Sequence, residues 1–162
     1  MRRKEQEFTT LFTKKMEAYF GSGCFVYKIP DSPMGGMGGR FLVPKPCDIV
    51  ASVHGRMVGI EFKYRDKLCA FGVKDLRPSQ VEGLTRIEKS GGLGLVVCAF
   101  KVGRGEYWVY WDHIQEFMKL GTIAKKGLER INTFKLLKQH GPAWNLPFQD
   151  LFVRISPSAW IE

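Results

Sequence analysis

Three side chains stand at a spacing that suits metal-assisted hydrolysis: Asp48, Glu61 and Lys63. They lie in the stretch PCDIVASVHGRMVGIEFK, residues 46–63, which reads as two short apolar strands joined by a His54-Gly55-Arg56 turn. Residues i and i+2 of a strand share a face, so Glu61 and Lys63 point to one side of the sheet and Ile60 and Phe62 to the other. Pairing of the two strands returns Asp48 to the side of Glu61. Two carboxylates can hold a magnesium ion, which takes hard oxygen ligands and keeps several waters. A lysine beside it can orient a water or offset developing negative charge. By itself a Glu-x-Lys pair on an amphipathic strand is more often an exposed salt pair. Asp48 upstream, with a Gly-Arg turn between, is what raises it above that reading.

The elements that must position these groups follow from periodicity. Phe8, Leu11, Phe12, Met16, Tyr19 and Phe20 recur at helical spacing over residues 3–20, and Gly21-Ser22-Gly23 stops that helix. A strand is predicted from Cys24 to Ile29, then a loop over 30–40 with four glycines and two prolines. That loop is neither a Walker A sequence nor a dinucleotide fingerprint: no Gly-Lys-Ser/Thr follows and it opens no helix. Residues 64–77 are polar and irregular, and Pro78 suits the first turn of a second helix with Val81, Leu84 and Ile87 on its apolar side. Gly91-Gly92 ends it. Leu93 to Val102 reads as a strand buried on both faces, and Tyr107 to Trp111 as a last strand. Asp112 is expected to cap a short helix through Ile114, Phe117 and Met118. A basic helix interrupted near Gly127 is expected over 125–138, followed by an irregular aromatic tail. The order predicts a mixed sheet with helices against it, in the α/β or α+β class.

At 162 residues the chain is expected to be one domain, with a core over about 3–120 and the basic helix and tail over 121–162. The four cysteines are far apart, with no partner at zinc spacing, and read as reduced thiols of an intracellular protein. No run of about 18 apolar residues marks a membrane span, and the charged start has no secretory pattern. The net charge of +9 favours a polyanionic partner, nucleic acid first. His54 is expected to be exposed in its turn. Trp108 and Trp111 are expected in the core or at a dimer contact.

The same residues carry a family resemblance. Asp48, Gly55-Arg56 and Glu61-Phe62-Lys63 resemble the PD-(D/E)xK nuclease signature, and Arg77-Pro78-Ser79-Gln80 resembles its downstream glutamine motif. The match is to RecU-type Holliday junction resolvases, through Glu5-Gln6-Glu7-Phe8 on the first helix and the extended run from Arg40-Phe41 through Lys45 to Cys47-Asp48. It covers roughly residues 3–118, with Cys47 where proline often precedes the aspartate. The resemblance implies a restriction-endonuclease-like fold and a homodimeric, magnesium-dependent enzyme, with manganese as a substitute, that cuts four-way DNA junctions. By it, Asp48 and Glu61 bind the metal, Lys63 is the catalytic lysine and Gln80 supports the site. A first-helix acid completes the set, Glu5 by spacing, with Glu7 as the alternative. The Gly-rich 31–41 segment occupies the place of the family's projecting stalk. Arg40, Lys45, Arg56, Arg65, Lys67, Arg77, Lys125 and Lys126 are the candidate DNA contacts. The rival expectations are another nuclease of the same fold, of the VRR-NUC-like kind or cutting duplexes or flaps, and a non-catalytic DNA-binding protein.

Overall fold

A computed structural model describes residues 2–30 and 44–128, and the backbone alone of 135–140 and 143–144. Helix α1 (Arg2–Phe20) leads through a short 3-10 turn into β1 (Cys24–Lys28). Then come β2 (Ile49–Val53), β3 (Arg56–Arg65) and the short β4 (Phe71–Gly72). Helix α2 (Pro78–Lys89) crosses to β5 (Leu93–Gly103), which turns into β6 (Glu106–His113). Helix α3 (Ile114–Leu120), β7 (Thr122–Ile123), α4 (Lys125–Leu128), β8 (Lys135–His140) and β9 (Ala143–Trp144) complete the described elements.

The main sheet has the order β1-β2-β3-β5-β6-β8-β9, and β4 pairs with β7 in a separate ribbon. β1, β2 and β3 form an antiparallel meander, β5 runs parallel to β3, and β6 is antiparallel to β5. A mixed α+β sheet with flanking helices, the class expected from the sequence, is what forms. At the β2–β3 turn His54 and Gly55 both have positive φ, 48° and 80°, which gives a tight hairpin. That turn sets the register Ile49↔Ile60, leaving Asp48 just beyond the last pair and level with Glu61.

Alternation along β3 divides the core in two. Ile60, Phe62 and Tyr64 point toward α1 and pack with Phe8, Phe12 and Met16, the Phe12 and Phe62 rings meeting edge to face at 4.8 Å. Phe12 is fully buried, so Phe12→Ala removes about 3–5 kcal/mol. The opposite side of the sheet packs Leu84 of α2 and Ile114 and Phe117 of α3 against Val96, Cys98 and Tyr110. Helix α2 lies very close to the sheet at two glycines paired in register, Gly59 and Gly94. A Cβ at Gly59 would meet Ile87 Cδ1 at 2.4 Å, and one at Gly94 would meet the Leu84 carbonyl oxygen at 2.5 Å. Both glycines therefore set how near the start of α2 comes to Glu61.

Three expectations need correction or limits. The basic helix over 125–138 does not form across that span: Lys125–Leu128 make one turn, and Lys135–His140 are a strand on β6, with Glu106 opposite Lys138. The outer edge of β6 offers unpaired backbone groups, and satisfying them outweighs local helical periodicity. Asp112 does not cap α3; it lies within β6, the cap position is His113, and Asp112 Oδ1 accepts the His113 N–H at 2.8 Å. The 31–41 segment, Arg40 and the tail beyond Trp144 lie outside the described residues. His54 is exposed as expected, with its ring against Phe20. Trp111 is in the core, and Trp108 packs against the second core cluster. All four cysteines are free thiols.

Candidate active site

Glu61 lies at the middle of β3 on the α2 side and is 1% exposed. Its Oε1 accepts two hydrogen bonds, from Lys63 Nζ at 2.6 Å and from the Gln80 side-chain amide. Its Oε2 is buried and has no hydrogen-bond partner. A buried carboxylate oxygen left unpaired costs free energy, so this atom is a ready place for a cation. Burial raises the Glu61 pKa to about 7; the neighbouring Asp48 charge adds to the rise and Lys63 opposes it.

Gln80 does two things at once. Its Oε1 accepts the Arg77 backbone N–H at 2.8 Å, satisfying one donor at the start of α2, while its amide nitrogen reaches Glu61. It is fully buried. Because its oxygen is tied to the helix start, only its NH2 can face the carboxylate.

Asp48 is held from the backbone. Its N–H donates to the Ile60 carbonyl at 3.0 Å, and its Oδ2 accepts the Phe62 N–H at 2.8 Å. Its Oδ1 is 2.8 Å from Lys45 Nζ. Gly83 makes room for the approach to this segment: a Cβ there would lie 2.9 Å from Pro46 Cα. Cys47, where the resemblance has proline, is buried with Sγ donating to the Ile49 carbonyl, and burial pushes its thiol up to about 12. It is therefore an inert packing group.

These groups open into a cleft of about 370 Å³ lined by Glu5, Asp48, Glu61, Lys63, Lys45 and Lys28, with Thr9, Gln6, Ile29 and Arg77 at its sides. Glu5 faces the cleft from α1. Burial raises its carboxyl pKa, opposed by the Lys63 charge, with Asp48 adding to the rise. Glu7 points elsewhere, paired with Arg3 at 3.2 Å and Lys4 at 3.1 Å on an exposed face. Helix geometry explains the difference, since positions 5, 8, 9 and 12 share the sheet-facing side and position 7 does not. Among the described residues no group of three or more His, Cys, Asp or Glu side chains makes a protein-only metal cage. The donor set is thus one or two hard carboxylates with open positions left over, which fits magnesium shared with water and phosphate oxygens.

The expected DNA contacts separate into three sets. Lys45 and Arg77 line the cleft. Arg56 and Arg65 are used inside the protein. Arg56 Nε donates to the Gly91 carbonyl at 2.8 Å, and Arg65 Nη2 pairs with Asp75 at 3.0 Å with its guanidinium 5.9 Å from the Phe71 ring. Lys67, Lys125 and Lys126 are exposed and do not line the cleft. Lys28 was not anticipated. It closes β1 opposite Ile49, the residue after Asp48, so counting the meander register back from the aspartate is the signal that finds it.

No family model and no curated protein matches the chain. Among solved structures it is similar to the 1.6 Å resolution structure of Archaeoglobus fulgidus Hjc, a Holliday junction resolvase from an archaeal hyperthermophile. Identity is 21%, over 80% of this chain and 87% of that one, with a TM-score of 0.37. At that level of likeness the chemistry has to be judged from the cleft itself.

Proposed function

We propose that this chain is a magnesium-dependent DNA endonuclease that acts on four-way junctions as a homodimer. The observation that carries the catalytic part is Glu61: buried, anchored on one oxygen by Lys63 and Gln80, and unpartnered on the other beside Asp48 in an open cleft. A purely structural carboxylate would be satisfied on both oxygens. The net charge of +9 supports a polyanionic substrate. The residue pattern shared with RecU-type resolvases supports DNA junctions and dimerisation in particular.

Asp48 and Glu61 would hold the divalent ion. Such an ion, when bound, lowers the pKa of a coordinated water and offsets charge on the phosphoryl oxygens. The chain's own groups do the rest. The Phe62 amide keeps Asp48 from rotating, and Gln80 fixes the plane of the Glu61 carboxylate. Lys63 spends one N–H on Glu61, leaving two donors that orient the attacking water and offset charge developing on the phosphate. Glu5 faces the same cleft from α1. In the reaction a water oxygen bonds to phosphorus and a bridging P–O bond breaks. One water proton goes to the leaving oxygen, giving a hydroxyl end and a phosphate monoester.

The test is incubation with a labelled four-way junction, the corresponding linear duplex and a single strand, with and without magnesium. Junction cutting that needs the metal, disappears in Asp48→Asn and Lys63→Ala, and leaves junction binding intact is the expected result. Equal cutting of duplex and junction would remove the junction claim and leave a general nuclease. Undiminished cutting by both variants would remove the site assignment.

A further inference from the structure

Beside the cleft lies a second, larger concavity of about 530 Å³, shaped by the outward side of α1 and the end of β1. It meets the cleft at Gln6 and Lys28, which line both. Its floor is aromatic and aliphatic, from Phe8, Leu11, Tyr64 and Tyr107. Its rim is basic. Arg3 and Lys4 are partly neutralised by Glu7, but Lys14 and Lys28 are exposed and have no acidic partner among the described residues. A basic rim suits a sugar-phosphate strand, with phosphates on the ammonium groups. Phe8, Tyr64 and Tyr107 are buried in the core and only wall the groove from beneath.

We propose that this groove takes the stretch of DNA strand that continues from the phosphate in the cleft, with Lys28 at the junction of the two and Lys14 further along α1. The inference rests on the phosphodiester reading of the cleft and adds the strand's path to it. An acidic peptide would also meet the lysines, but it has no use for a groove that runs into the carboxylate cleft.

The test measures binding of a labelled single strand of about 20 nucleotides and one of about 4 nucleotides, by fluorescence anisotropy in chelator. Lys14→Ala should lower the slope of log affinity against log salt for the long strand by about 0.7, one phosphate contact on a single strand. Lys14→Glu should weaken the long strand about tenfold or more and leave the short one, which fills only the cleft, unchanged. Lys89→Glu, an exposed change at the far end of α2, alters net charge equally and controls for non-specific attraction. Unchanged long-strand affinity and slope in both Lys14 variants would overturn the groove, as would an equal loss in Lys89→Glu. Equal weakening of both strands by Lys14→Glu would also overturn it. Because binding is read without metal or cutting, the two readings fail separately. A protein that cuts but whose long-strand binding is indifferent to Lys14 sinks the groove alone. Lys14-dependent long-strand binding by a protein that cuts nothing supports the groove and sinks the catalytic reading.

Discussion

Two acids occupy the same row of the sheet. Glu61 on β3 and Asp112 on β6 are both registered with Val96 of β5, one on each side of it. They face the same layer, roughly 10 Å apart across two strand spacings. Burial raises the pKa of both. Their surroundings differ. Asp112 accepts the Tyr110 hydroxyl at 3.1 Å on Oδ2 and the His113 N–H on Oδ1, so each oxygen has a donor supplied by its own strand. Glu61 takes both of its donors on Oε1 and leaves Oε2 bare. A raised pKa and burial do not tell a working acid from a structural one. What separates these two acids is the distribution of hydrogen bonds over their oxygens and the open cleft that Glu61 lines.

The comparison breaks first at activity. Glu61→Gln should reduce junction cutting about 1,000-fold or more, the several kcal/mol that a metal contributes to phosphoryl transition states. Asp112→Asn should leave the single-turnover rate within a few-fold of the parent. Comparable losses in the two variants would erase the distinction between the two acids.

Gln80→Ala sharpens it at the next level. With Glu61 as the proposed metal ligand, removing the group that orients it should raise the magnesium concentration for half-maximal cutting about 10- to 100-fold. The lost bond to the Arg77 amide should also cost about 1 kcal/mol in stability. A lowered melting temperature with an unchanged magnesium titration would make Gln80 a helix cap and nothing more.

The pH dependence separates the acids without any substrate. Glu61 is raised from 4.5 to about 7 in the fold, so between those values the native state holds more protons than the unfolded one. Stability of metal-free protein from this group therefore falls as pH rises from 4.5 to 7 and is flat above. Glu61→Gln should flatten that decline in melting temperature measured in chelator. The raised pKa values of Glu5 and Asp112 contribute in the same direction, so part of the slope should remain. Magnesium added at pH 8 should raise the melting temperature of the parent and not of Glu61→Gln.

The smallest effect is expected at Tyr110→Phe, which removes the hydroxyl from Asp112 Oδ2. It should cost about 1 kcal/mol in denaturant unfolding and leave cutting unchanged.

Much of this arrangement is legible in the residue order because it depends on short-range periodicity. Strict alternation puts Glu61 and Lys63 on one face, the His54-Gly55 turn sets the register that returns Asp48, and helical spacing carries Glu5 on the side of Phe8 and Phe12. The same arithmetic failed at 125–138, where charged and apolar residues fit a helix. The open edge of β6 drew residues 135–140 into a strand instead. Nor does residue type tell which arginine is free for a ligand. Arg65 and Arg77 look alike in the sequence, yet Asp75 holds one and the other borders the cleft.

What the sequence determined by itself is the grouping of Asp48, Glu61 and Lys63 and the class of fold, since periods of two and 3.6 residues are local properties of the backbone. The choice of Glu5 over Glu7 came from the structure. Only the tertiary structure decided how Glu61 is used. Gly59 and Gly94 let α2 descend onto β3 and β5, which brings Gln80 against one oxygen of Glu61 and leaves the other bare. That outcome depends on a helix–sheet distance between residues some twenty positions apart, which no local pattern encodes.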